Sequence, residues 1–281
     1  MTPSAKREAV AILTREHPLS VRRACGVVQL SRAVYYRPPT DRVHRDQPVI
    51  DALQTVVADR PRIGFWKCFD RLRNTVHWWN HKRVHRVYCA LRLNLPRRTR
   101  KRFVRATRHP LAAPPALNHT WALDFMTDTL YNGRRFRTLN ILDEGNREAL
   151  AITAGTSLPS VRVIAVLDEL VAVHGTPAAL RMDNGPELTS RVLSTWCEQR
   201  GVAMRFIQPG KPQQNAYIER FNKSYRQEVL DAYIFGTVAD VRDETERWLT
   251  YYNTERPHDS LGRVPPRTFL PRSTAPSEST N

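Results

Sequence analysis

Cysteine is scarce in this chain of 281 residues: Cys25, Cys68, Cys89 and Cys197 are widely scattered, and none forms a C-x-x-C pair. That spacing excludes a disulfide framework and a zinc ribbon, and predicts reduced, mostly buried thiols of a cytoplasmic protein. Long apolar runs are also missing. No stretch approaches the roughly 20 residues a bilayer crossing needs, and the N-terminus lacks the apolar core of a signal peptide. A membrane is therefore not an expected partner. Acidic residues are thin only at the front. The chain holds 44 Lys+Arg and 27 Asp+Glu, of which residues 1–118 contain 25 and 7, so this part carries +18 and the remainder −1. A basic arm joined to a neutral body is the charge layout of a polyanion binder, because Lys and Arg gain affinity by displacing condensed phosphate counterions. Nucleic acid is the expected partner; a solvated basic surface is the plainer alternative.

The length allows two or three domains. Residues 5–37 read as three short helices: one over Ala5 to Glu16, one after Ser20 and one after Ser31, each serine placed to cap a helix N-terminus. The last two form a helix-turn-helix candidate that presents Arg32, Tyr35 and Tyr36 to a DNA groove. The bland reading is a packing module of the same spacing. After P-P-T-D at 38–41, apolar residues Ile50, Leu53, Val57, Phe65, Phe69 and Leu72 recur at helical intervals. In W-W-N-H-K-R-V-H-R-V-Y-C-A-L-R-L at 78–93, Asn80 is a cap candidate, Val84, Val87 and Leu91 form one face, and Lys82, Arg83 and Arg86 lie elsewhere, making a second recognition-helix candidate. The run at 95–102, with Arg97, Arg98, Arg100, Lys101 and Arg102, is too dense in charge to pack and is suited to tracking phosphates without reading bases.

From His119 the texture becomes strand-like. Three β-runs joined by turns containing Asn132-Gly133 and Gly145-Asn146 are followed by a helix over Ser160 to His174, a strand A-A-L-R-M, a helix from Pro186 to Gln199 and a strand V-A-M-R-F-I-Q. That order describes an α/β fold, a ribonuclease-H-like mixed sheet flanked by helices and preceded by small all-α helix-turn-helix modules. Three acids stand at telling places: Asp124 in W-A-L-D-F of the first strand, Asp183 at the head of D-N-G-P-E after the fourth, and Glu219 in G-K-P-Q-Q-N-A-Y-I-E-R-F-N on a later helix. On that helix, expected to run to Leu230, Asn215, Glu219, Asn222 and Arg226 fall within a sector of roughly 60° while Ile218, Tyr225 and Val229 form an apolar stripe. Phosphodiester chemistry calls for such a set because the attacking and leaving oxygens both develop negative charge, which two divalent ions about 3.5–4 Å apart can stabilise. Carboxylate oxygens suit Mg²⁺ or Mn²⁺. Asp128, Asp143, Glu144 and Glu187 are the rival carboxylates, expected to be solvated or to support the others.

These words, together with Y-Y-N-T-E-R-P-H-D-S-L-G at 251–262, resemble the catalytic region of the insertion-sequence transposases called the IS-three family, within the wider retroviral-integrase superfamily. The likeness spans nearly the whole chain, including W-N-H-K-R-V at 79–84 and the basic run at 97–102. It departs at Ile63-Gly64-Phe65-Trp66, where a Tyr-Gly word is common, and at Trp79, where valine is usual. The resemblance implies that Asp124, Asp183 and Glu219 are a catalytic acidic triad holding two Mg²⁺ or Mn²⁺ ions, that Arg226 and Lys223 are basic DNA contacts, and that Lys211, Gln213, Asn215 and Asn222 line the DNA path. It implies a bacterial, nucleoid-associated protein acting as a homo-oligomer on insertion-sequence ends and target DNA, by a copy-out, paste-in route. The family joins an upstream reading frame, with a further helix-turn-helix and a zipper, to this one by frameshifting. Met1 begins here without such a zipper, so the expectation is of one part of the active enzyme.

The expected organisation is a helix-turn-helix module over 1–40, a second helical DNA-binding module over 41–95, a basic linker over 96–118, an integrase core over 119–270 with Trp248, Tyr251 and Tyr252 packing a C-terminal helix on the sheet, and a disordered polar tail over 271–281. The expected function is metal-dependent cleavage and strand transfer of an insertion sequence. The alternatives are a non-catalytic DNA-binding regulator or inhibitor of the fused enzyme, and a ribonuclease or simple nuclease on the same fold. Replacing Arg97 and Arg98 together by Ala should weaken binding to all duplexes alike, and lower the salt slope by about 0.9 for each phosphate that is no longer neutralised. Weakening confined to one sequence in a binding series across salt would contradict phosphate tracking.

Overall fold

The computed structural model describes residues 1–37, 42–75, 77–96, 116–208 and 215–272. The basic cluster Arg97, Arg98, Arg100, Lys101 and Arg102, the pair Lys211 and Gln213, and most of the expected tail lie outside them. The chain divides into two units, Met1–Asp51 and Ala52–Asn281.

In the first unit, α1 (Pro3–Glu16) starts two residues before the expected Ala5, because the Thr2 hydroxyl accepts from Ala5 N at 3.3 Å and Pro3 needs no hydrogen-bond partner at the first helical position. α2 (Val21–Val27) and α3 (Arg32–Tyr36) follow. Ser31 caps α3 through Val34 N, whereas Ser20 stands at the cap of α2 without a side-chain bond. Val10, Ala24, Cys25 and Leu30 form the core, against which Val34 and Tyr35 pack. Arg32 is exposed.

α4 (Arg42–Asp59) buries Val49, Leu53 and Val56 rather than the expected Ile50, Leu53 and Val57. Both triplets have helical spacing and share Leu53, so periodicity alone could not separate them. In the second unit, α5 (Phe65–Asn74) and α6 (His81–Ala90) meet at the Phe65 and Tyr88 rings, 5.4 Å apart, with Cys68, Phe69, Leu72, Val84 and Val87 buried, and the Asn80 side chain caps α6 by accepting from Lys82 N at 2.9 Å.

The sheet has the order β3-β2-β1-β4-β5. β1 (Thr120–Thr129), β2 (Arg135–Asp143) and β3 (Ala149–Gly155) are antiparallel; β4 (Ala179–Met182) joins β1 in parallel and β5 (Ala203–Phe206) joins β4. Side chains alternate between faces. Trp121, Leu123, Leu139 and Ile141 pack beneath α7 (Ser160–His174) and α8 (Arg191–Arg200). Ala122, Phe136, Leu142 and Ala149 pack beneath α9 (Ala216–Tyr225) and α10 (Val238–Thr254), which contribute Ile218, Phe221, Tyr225, Trp248, Tyr251 and Tyr252. This is the expected ribonuclease-H-like sheet with helices on both faces. The α5 side docks on the end of α10: Arg71 pairs with Asp59 at 2.8 Å and with Glu255, and the Arg60 and Arg71 guanidinium groups lie 4.5 and 5.2 Å from the centre of the Tyr251 ring. Among the described residues no helix is long and apolar enough to cross a membrane.

Three features depart in detail from expectation, although the helix carrying Glu219 ends at Leu230 as expected. Pro186 lies in a turn and α8 begins at Arg191, where the Ser190 hydroxyl accepts from Leu193 N. α9 ends at Tyr225 and continues as a single π-helical turn, Arg226–Leu230, closed by Asp231 N donating to Arg226 O at 2.7 Å. The turn after β2 is covered rather than solvated: Asp143, Glu144, Asn146 and Glu148 are all buried. The cover is the segment around α11 (Pro266–Phe269), from which Arg267 and Arg272 donate to Glu148 at 2.8 and 2.6 Å, and Arg272 also pairs with Asp143. Arg272, expected in the tail, is thus docked.

Burial alone would raise the Glu148 pKa, but the bonds from Arg267 and Arg272 outweigh it and hold the carboxyl below its usual range. A depressed acid stabilises the fold above the unfolded pKa of about 4.3 and loses that contribution as pH falls. Arg272→Ala should cost about 3–5 kcal/mol, the usual loss when a buried ion pair keeps only one partner. Urea unfolding at pH 7 checks it, and the deficit should shrink towards pH 3.

Candidate active site

Asp124 lies in the middle of β1, where alternation sends Leu123 and Phe125 to the α7 face and Asp124 to the face covered by α9. Its carboxylate is fixed from two sides. Oδ1 accepts from Phe125 N at 2.9 Å, and Oδ2 accepts from Asn222 Nδ2 at 2.7 Å. Asn222 Oδ1 in turn accepts from Asn140 Nδ2 at 2.6 Å, and Asn140 is the cross-strand partner of Asp124. One amide on α9 thus spans two paired residues on β1 and β2. Asn140 Oδ1 is buried without a hydrogen-bond partner among the described residues.

Asp183 follows β4 in a turn of its own making, its Oδ1 accepting from Gly185 N at 3.1 Å. A Cβ at position 185 would stand 3.1 Å from that oxygen, which favours glycine there. Asn184 Nδ2 donates to Ile207 O at 3.1 Å and ties the turn to the end of β5. Glu219 occupies the first turn of α9 and is exposed. Asp124 feels the other two acids. Burial, opposed by the Phe125 N–H and then reinforced by the negative charges of Asp183 and Glu219, pushes the Asp124 pKa up to about 6, with the Asn222 bond pulling it down. They do not form a closed cage: among the described residues no three His, Cys, Asp or Glu side chains gather closely enough to hold a single metal ion. The donor set nonetheless fits hard divalent cations, since it offers carboxylate oxygens carrying negative charge that no neighbouring cation neutralises fully.

The rival acids are engaged elsewhere. Asp128 accepts from Arg226 at 2.9 Å, Glu187 pairs with Arg137, and Glu144 is buried 3.4 Å from Arg181. Of the residues expected to touch DNA, Arg226 is bound back to β1 through Asp128 and Thr127 O, Lys223 and Lys82 are exposed, Arg86 is exposed and Arg83 half-buried on α6, and Tyr35 is half-buried against the first unit's core. Asn215 and Asn222 are buried, 3% and 8% exposed. Helix phase put them beside Glu219, but it is the side of the sector nearer the sheet, so Asn222 serves Asp124 instead of solvent. Asn140 was missed, although a lone amide in the apolar strand R-T-L-N-I-L opposite Asp124 was a readable signal.

Two integrase core domain families match the chain, over residues 114–212 and 200–266. An uncharacterized 31.7 kDa protein of insertion element IS407 from Burkholderia multivorans is 37% identical over 276 residues, which cover 98% of this chain and 96% of that protein. An uncharacterized 39.2 kDa protein of insertion element IS476 from Xanthomonas euvesicatoria is 36% identical over 269 residues, 96% of this chain and 78% of that protein. Among solved structures, a chain of the simian T-cell lymphotropic virus intasome in complex with PP2A regulatory subunit B56 gamma shares the fold, with a TM-score of 0.51 at 15% identity over 82% of this chain and 77% of its own. A relative aligned along nearly all of both chains, and integrase core matches that together run from before β1 to α11, carry the assignment: the chain belongs to the insertion-sequence transposases of the retroviral integrase superfamily.

Proposed function

We propose that the chain cleaves DNA at insertion-sequence ends and transfers the strands, with Asp124, Asp183 and Glu219 as the catalytic acids. The observation that supports this reading is a half-buried carboxylate, Asp124, held by two N–H donors in the middle of β1, on which the negative charges of Asp183 and Glu219 both bear. These residues would hold two Mg²⁺ or Mn²⁺ ions, which when bound supply charge stabilisation to the attacking and leaving oxygens of a phosphodiester. The protein's own part is placement. Asn222 and Phe125 N–H aim the Asp124 oxygens, the Asp183 turn holds its carboxylate at the end of β4, and α9 carries Glu219 to the same mouth. Water cuts the phosphodiester and leaves a 3′-hydroxyl; that hydroxyl then attacks a second phosphodiester and expels its 3′-oxygen. No bond to the protein forms. We further assign 1–40 and 41–95 as DNA-binding modules and the active form as a homo-oligomer on DNA, joined to an upstream-frame segment.

The purified chain, given a labelled element-end duplex and Mg²⁺, should yield strand-joined products that vanish in Asp183→Ala. Nicks alone would favour a nuclease, and a gel shift without products would favour a regulator. Asp183→Asn should abolish joining while raising the metal-free Tm by a few degrees, since it removes a repelling charge yet keeps the acceptor for Gly185 N; a lower Tm would argue that Asp183 is structural. Because Asp124 is raised above its unfolded pKa of about 3.9, the metal-free fold should lose stability as pH rises from about 4 to 6. Removing the amide in Asn222→Ala should move the carbon-13 NMR titration of the metal-free Asp124 carboxyl higher still. An unchanged titration would mean that Asn222 only fills space.

A further inference from the structure

A cavity of about 480 Å³ lies on the flank of α9 turned away from Glu219. Tyr217, Arg220 and Ser224 line it, and at about 100° per residue they point roughly 100–160° round the helix from Glu219. Lys67 and Arg147 close it from the α5 side and from the turn after β2. Its charge is lopsided. Arg256 also lines the cavity but is engaged by Glu228, to which it donates at 2.7 and 3.0 Å, and Asp259 is the one acid among the described lining residues. Lys67, Arg147 and Arg220 therefore face it with one carboxylate among the described lining residues, while Glu144 lies behind Arg147 and Glu228 behind Lys67.

Arg147 is the most informative of these. Its backbone has φ 62°, the left-handed region that costs a non-glycine residue about 1 kcal/mol or more. Its guanidinium lies 3.4 Å from the centre of the Tyr217 ring, and its Nε and Nη1 are buried with no hydrogen-bond partner among the described residues. Strain, burial and open donors on one cation are what a site for an incoming anion keeps in readiness. Burial is the main cause that brings Lys67 down to about 8, with Arg256 adding to it and Glu228 and Asp259 opposing it.

We infer that this cavity is a phosphoryl-binding site that takes a backbone phosphodiester of DNA outside the acidic cleft, with Arg147, Arg220 and Lys67 donating to its oxygens. Several donors converging on one anion, two of them guanidinium forks, match a tetrahedral phosphate better than a planar carboxylate. DNA as the source rests on the proposed strand-transfer function; the phosphoryl chemistry does not. A free phosphate or nucleotide shares that chemistry.

The full-length chain tests both sources. Binding of a labelled duplex across a KCl series, without divalent metal, is compared for the native chain, Arg220→Gln and the Arg147→Gln/Arg220→Gln double variant. The double variant should bind about tenfold more weakly with a log–log salt slope lower by about 0.9, as follows when one phosphate goes unneutralised. Arg220 is exposed on its helix, so its single variant keeps the fold and should show about half of that change in slope. Inorganic phosphate and thymidine 5′-monophosphate, added at constant ionic strength, are followed by thermal shift. If they raise the native Tm but not that of the double variant, while the DNA slope stays native, the occupant is a free phosphoryl compound and the site stands. An unchanged slope with no thermal shift overturns it. Asp183→Asn, run alongside, should lose strand joining and keep the native slope, so a failure of the acidic site and a failure of this cavity are told apart.

Discussion

The seating of α9 on the β1–β2 face is the contact on which the rest of the site depends. Ile218, Phe221 and Tyr225 are each 0–1% exposed beneath the sheet's covering layer, and between them Asn222 reaches Asp124 and Asn140. Apolar burial supplies the non-directional part of the grip, worth about 2–3 kcal/mol for each large side chain. The amide supplies direction. A helix held by grease alone could slide by a fraction of a turn, but an amide bonded to one residue on each of two paired strands admits one register. Glu219, three residues earlier on the same helix, inherits that register.

The protein treats its acids in two opposite ways. Asp143 and Glu148 are buried, Glu228 is half-buried, and all three are answered by Arg272, Arg267 and Arg256, so their cost of desolvation is offset and they fasten the C-terminal segments to the sheet. Asp124 is partly buried, feels the charges of two further carboxylates and, among the described residues, receives only neutral N–H donors. The contrast within one domain separates acids that serve the fold from acids that burden it. A burden left in place beside so many available arginines supports the catalytic role proposed for Asp124.

The strands were legible because alternation and turn residues are local: β1, β2, β3 and β4 lie where W-A-L-D-F, R-R-F-R-T-L-N-I-L-D, R-E-A-L-A-I-T-A and A-A-L-R-M predicted. The apolar stripe Ile218, Tyr225, Val229 was legible for the same reason. What escaped depends on contacts distant in sequence. Asn222 reads as a surface amide until β1 is placed beneath it, 98 residues away. The turn at 143–148 reads as solvated until Arg267 and Arg272 return to cover it. Pro186 looked like a helix start because proline suits that position, yet Ser190 offered a hydroxyl to the first turn and won. The π-helical turn at Arg226–Leu230 left no mark in composition at all.

The bonds around Asp124 also bear on how readily it could accept a cation. A carboxylate offers about four lone-pair directions, and the protein claims two of them, one through the Phe125 N–H and one through the Asn222 amide. Half of its valence stays open, so an ion can arrive without evicting either donor. The oxygens are already aimed, so an ion of the kind proposed there would meet little reorganisation.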